Sequence, residues 1–159
     1  PYTIGIAFEI MTVIHAREDW DPGATVKVAV TPENMDVIFR EKQEGVEETK
    51  ALADILKLDE LGVPKDFEAD MKVALETMVR YAQLCEISTR VMYHVVYAQE
   101  HRDRQQEEKA FKAIEDLYQI ADLIKEEQKG THYPYYLYAR LQPLRIRIFA
   151  DSAARQLRE

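Results

Sequence analysis

The chain predicts an all-α fold, a helical bundle with one long central helix and a short N-terminal strand. Two observations carry this reading. The run from Asp66 to Arg104 contains neither Gly nor Pro, and as one helix it is about 57 Å long at 1.5 Å per residue, longer than a globule of 159 residues needs for its diameter. Within it, Met71, Leu75, Met78, Ala82, Cys85, Thr89, Met92 and Val96 follow a 4-3-4-3 spacing, the seam of a left-handed bundle. Leu84, Ile87, Val91 and Val95 make a second stripe on an adjoining face, so this helix needs at least two neighbours and should be the most buried element.

The other elements follow in chain order. From Ile4 to Arg17, Ile4, Phe8, Met11 and His15 stand at helical spacing, while Thr3, Ile6, Ile10 and Val13 carry β character. Asp19-Trp20-Asp21-Pro22-Gly23 breaks that pattern with turn residues. Thr25 to Val30 alternates Val26, Val28 and Val30 with Thr25, Lys27 and Ala29, the period of a strand with one buried face. A lone strand needs a partner for its backbone, in the N-terminal segment or on another chain. Residues 1–24 thus read as an N-terminal segment or a linker from a preceding domain, and residues 25–159 as the bundle domain. The opening lacks both an initiator Met and the basic leader of a signal peptide, as expected of a piece of a longer polypeptide.

Thr31-Pro32-Glu33 opens a helix, with Thr31 as N-cap, Pro32 at the first helical position and Glu33 where the helix dipole favours an acid. It should run to about Lys57 on a stripe of Met35, Ile38, Phe39, Val46, Leu52, Ala53 and Leu56. Gly45 inside it marks either close packing against a neighbour or a mild weak point. Leu61-Gly62-Val63-Pro64 is the hinge, with Asp66 as cap of the long helix. The polar run from His101 to Gln106 separates a further helix, Glu107 to Lys129, with a seam of Phe111, Ile114, Leu117, Tyr118, Ala121 and Ile124 and a stop at Gly130. The last helix runs from Pro143 to Leu157 and buries Ile146, Phe149, Ala153 and Leu157. Asp36–Arg40, Glu68–Lys72, Glu76–Arg80, Glu86–Arg90 and Glu108–Lys112 place acid four residues before base, the favourable order on solvated helix faces.

Composition sets bounds on function. The hydrophobic content of 47% suits one continuous core. A formal charge of −8, spread along the chain, disfavours nucleic acid as a partner. No apolar run reaches the length of a membrane-spanning helix. The single cysteine, Cys85, allows no internal disulfide and leaves the compartment open.

No cofactor or metal is expected. None of His15, His94, His101 and His132 has a carboxylate three or four residues before it, as a Glu-x-x-His bundle site requires. His94 reads as a core or interface histidine. Cys85, on the seam between Ala82 and Thr89, reads as an inert small hydrophobe. Phosphate loops, nucleophile elbows and dinucleotide fingerprints are absent. Two clusters remain as ligand contacts. Trp20 beside Asp19 and Asp21 has the composition of a sugar subsite, an aromatic face with carboxylates for hydroxyls, against the plainer reading of a solvated turn with Trp20 at the core edge. Tyr135 and Tyr136, within the tyrosine run Tyr133 to Tyr138, are either a binding wall or an extended strap laid over helices.

The stretch VTPENMDVIFREKQEGVEETKALADIL, the long uninterrupted helix, and YPYYLYARLQPLRIRIFADSAARQL together resemble the helical C-terminal region of large bacterial glycoside hydrolases of the α-glucuronidase-like kind. The resemblance implies an all-α domain that follows a catalytic (β/α)8 barrel, buttresses it and helps form a dimer. The catalytic acid and base would lie in the barrel, so no catalytic residue is assigned to this chain. The expected function is a non-catalytic C-terminal domain of a carbohydrate-active enzyme that supports stability and assembly. The alternative is a free-standing helical interaction or oligomerisation module. In either case the long helix outreaches its neighbours, and a homodimer or docking to a preceding catalytic domain is expected, with Ile4 to Val30 contributing.

Overall fold

The computed structural model describes residues 29–129 and 141–158, and within them every regular element is helical. These are α1 (Pro32–Ile55), a 3-10 turn (Leu58–Glu60), α2 (Lys65–His101), α3 (Arg104–Gln128) and α4 (Pro143–Gln156). The expected strand over Thr25–Val30 lies outside the described residues up to position 28, and Ala29 and Val30 are not in a strand. Asn34 instead ties Ala29 to the start of α1, its Nδ2 donating to the Ala29 carbonyl at 2.9 Å.

Local chemistry sets the ends. Thr31 Oγ1 accepts from Asn34 N–H at 3.3 Å, and Pro32 follows at the first position, as the sequence predicts. After α1 the chain passes through the 3-10 turn and then Gly62 at φ 64°, a left-handed conformation that favours glycine. The start of α2 corrects one expectation. Its N-cap is Pro64, with no side-chain cap, and Asp66 sits inside the first turn rather than capping it. At the far end Arg102 adopts the left-handed region (φ 51°), and Asp103 at once caps α3 by accepting from Gln105 N–H and Gln106 N–H. The polar break is therefore two residues long, shorter than the six expected from His101 to Gln106, because one αL residue and one cap suffice to reverse the chain.

Side-chain pairs give the register. Arg80 pairs with Glu127 at 2.6 Å, Arg90 with Asp116 at 2.9 Å, and His94 with Gln106 at 2.8 Å, so α3 runs antiparallel to α2. Tyr118 donates to Asp151, Arg147 pairs with Asp122, and Gln128 Nε2 donates to the Leu141 carbonyl at 2.8 Å, so α4 runs antiparallel to α3. Phe39 of α1 touches the rings of Tyr93 and His94, which places α1 along the other side of α2. Of the five expected intrahelical pairs, Glu86–Arg90 is formed, whereas Arg80 turns to Glu127 instead of Glu76.

The core lies where all four helices overlap. Leu84, Val91, Met92, Tyr93 and Val95 of α2 meet Leu117, Ala121 and Ile124 of α3, Ile146, Phe149 and Ala153 of α4, and Met35 and Ile38 of α1. Alanines at 110, 113, 121, 150 and 153 are all buried; small side chains at these positions let helix axes approach closely. Each fully buried Leu, Val or Ile here stabilises the fold by about 1.5–3 kcal/mol through removal of apolar surface from water.

The seam read along α2 needs correction at its start. Leu75, Cys85, Thr89, Met92 and Val96 are buried as read, but Met78 is 45% exposed, and on α1 Leu52 is likewise 45% exposed. The register supplies the reason. Glu127, opposite Arg80, is the penultimate residue of α3, so residues 65–79 of α2 run about 20 Å past the end of that helix. Gly45 also resolves, since a Cβ built there meets nothing within 4 Å, and close packing is not its reason.

Candidate functional site

The residues expected to contact a ligand, Asp19, Trp20, Asp21, Tyr135 and Tyr136, all lie outside the described residues. Within them, two side chains with intrinsic chemistry sit in α2, and both are in core settings. His94 is buried between Phe39, 5.0 Å away ring to ring, and Gln106, whose Oε1 accepts from Nδ1. Burial is the main reason its imidazole falls to about 4; the bond to Gln106 acts the other way, and the charges of Lys109 and Arg90 push it further down. The Cys85 thiol is pushed up to about 11, chiefly by burial, against the opposing effects of Lys42 and Tyr81. Both side chains are buried within α2, and Cys85 belongs to the core cluster, consistent with the sequence expectation for both.

The surface is more informative at the end of the molecule where α2 outruns α3. Here the last turn of α1, the connector and the first turns of α2 present Leu52, Ile55 (73% exposed), Leu61 (56%) and Phe67 (52%) to solvent. Beside them a cleft of about 490 Å³ opens between the 3-10 turn and α2, with Leu56, Leu58 and Leu75 at its base. Its rim carries Asp54, Asp59, Glu68 and Glu76 against Lys57 and Lys72. Lys57 is engaged by Glu60 at 2.9 Å, whereas Asp54, Asp59, Glu68 and Glu76 have no basic partner within ion-pair distance among the described residues. From Asp54 to Glu76 the chain has seven acids and three lysines, so this end carries a net negative charge around an apolar centre.

The opposite end of the bundle has a mixed lining. A cleft of about 460 Å³ there is lined by Ala98, Gln99, Arg102, Arg104, Glu107, Gln156 and Leu157, and Gln99 Nε2 bridges α2 to the Gln156 carbonyl at 3.0 Å. Within α4, Arg145, Arg147 and Arg155 stand against Asp151, and Arg147 is engaged by Asp122 of α3.

Among the described residues, no group of three or more His, Cys, Asp or Glu side chains is placed to hold a metal ion, and no helix is long and apolar enough to cross a membrane. No family model, curated protein or solved structure matches the chain. Leu52, Ile55, Leu61 and Phe67 were not singled out by spacing as surface residues. The available signal was the difference in length between the long helix and its neighbour, together with the acidic bias on either side of the Gly62–Pro64 hinge.

Proposed function

We propose that this chain is a non-catalytic helical module whose task is assembly. The observation that carries the reading is the exposed apolar end of α1 and α2, where Ile55, Leu61 and Phe67 are each more than half exposed beside a cleft with a leucine base. Val37, Leu123 and Leu144 are exposed elsewhere, but Leu52, Ile55, Leu61 and Phe67 share this end, and apolar side chains gathered in one region mark contact surfaces. The core settings of His94 and Cys85 support the same reading, since both of these reactive side chain types are consumed by packing.

The context follows from the resemblance of residues 30–56 and 133–157 to the helical C-terminal region of glycoside hydrolases. There the module would buttress a catalytic domain or join two copies of the enzyme. A free-standing interaction module is the second reading, and the net negative charge around the exposed apolar end of α1 and α2 favours it, because it provides a contact surface without any catalytic domain.

The test is twofold. The chain should show no turnover of aryl glycosides, and it should form a saturable complex with itself or with a partner in sedimentation velocity. Hydrolysis that survives repurification and is lost in Asp19→Asn or Asp21→Asn would overturn the reading.

A further inference from the structure

We infer that the α1–α2 end is a docking site for a basic amphipathic helix of a partner protein. The inference rests on the assembly reading and adds the surface and the chemistry of its occupant. The apolar side chains Ile55, Leu61 and Phe67 supply the area that contact would remove from water, and the cleft over Leu56, Leu58 and Leu75 supplies the concavity that a projecting apolar side chain enters.

Charge selects the occupant. Asp54, Asp59, Glu68 and Glu76 on the rim have no basic partner at ion-pair distance among the described residues, so a lysine- or arginine-bearing helix would neutralise charges that the fold leaves open. A second copy placed tip to tip would bring the same seven acids against seven. With only three lysines among them on each copy, that contact is electrostatically opposed. A tip-to-α4 contact between copies is heterologous and gives a ring or an open chain of copies rather than a one-to-one complex with a separate partner. Helix-in-groove recognition by apolar anchors flanked by complementary charge fits the geometry with one partner and a defined stoichiometry.

The experiment uses the full chain and two synthetic amphipathic peptides with the same leucine pattern, one with lysine and one with glutamate at the polar positions, titrated by calorimetry. The lysine peptide should bind one to one and weaken as salt is raised, and the glutamate peptide should not bind. The pair Ile55→Ser with Phe67→Ser should weaken binding about tenfold or more. The set Asp54→Asn, Asp59→Asn and Glu68→Gln should weaken it and flatten the salt dependence. All five positions lie away from the core, so circular dichroism and Tm should stay within a few degrees of the parent and separate lost binding from lost folding. Binding of the lysine peptide that both variant sets leave unchanged, or equal binding of the glutamate peptide, overturns the proposal, as does binding of neither. Self-association of the free chain that Ile55→Ser with Phe67→Ser abolishes would show that a second copy covers this end; it overturns the basic partner while leaving the assembly reading standing. Glycoside turnover would do the reverse.

Discussion

His94 and Gln106 face each other across the reversal between α2 and α3, with Nδ1 2.8 Å from Oε1. An amide oxygen only accepts, so Nδ1 carries a proton toward Gln106, and it is burial against the Phe39 ring that keeps the imidazole neutral despite this bond. The consequence is a pH dependence of stability. The folded-state value of about 4 lies below the ordinary 6.5, so the neutral ring's contribution is fully present above pH 6.5 and is lost as pH falls toward 4. The loss amounts to about 3 kcal/mol, since each unit is worth about 1.4 kcal/mol. Denaturant unfolding at pH 7 and pH 4.5 should show a larger drop for the parent than for His94→Gln. Equal drops would remove His94 as the cause.

Gly45→Ala should stabilise the protein by about 0.5–1 kcal/mol. The position is in the interior of α1, its backbone is helical, and the added Cβ meets nothing within 4 Å. Urea midpoints with an unchanged m-value check it, and a fall in midpoint would mean that the glycine serves a contact in an assembly.

Val91→Asp and Met78→Asp should part company although both lie on the apolar pattern of α2. Val91 is fully buried, and a carboxylate there costs upward of about 3 kcal/mol or prevents folding. Met78 is 45% exposed, and its substitution should shift stability by about 1 kcal/mol or less. Thermal melts of the two variants side by side decide this, and comparable losses would mean that α2 is covered along its whole length.

Tyr93→Phe should be neutral or stabilising. The ring is fully buried and packs edge-on against Phe39 at 6.1 Å, yet its hydroxyl has no hydrogen-bond partner among the described residues. Removing an unsatisfied buried hydroxyl while keeping the ring relieves a desolvation cost of about 1 kcal/mol. A loss of more than that on substitution would reveal a bond that this hydroxyl makes.

The Cys85 thiol should react with a disulfide reagent at pH 8 only slowly in the native protein and rapidly in denaturant. A value of about 11 leaves about one thiol in a thousand ionised at that pH, and burial adds a steric barrier. Fast native labelling would place this part of α2 at the surface and contradict the packing of α1 against it.

The helices were legible because their signals are local. Thr31 and Pro32 cap α1 as read, Pro143 opens α4, and the apolar repeat from Leu84 to Val96 is the core face of α2, since a period near 3.6 depends only on neighbours along the chain. The expected ligand contacts at Asp19, Trp20, Asp21, Tyr135 and Tyr136 lie outside the described residues, and the surface argued for assembly was not marked by any motif. What the chain could not disclose depended on register. Met78 belongs to the same spacing as Cys85, and Arg80 stands four residues after Glu76, but the partner of each is set by where α3 lies. The two-residue reversal at Arg102 and Asp103 puts Glu127 opposite Arg80, ends α3 there, and leaves the first turns of α2 and the last turn of α1 facing water. An apolar residue is committed to core or surface by the length and placement of another helix, and that is a distance through space which no local pattern encodes.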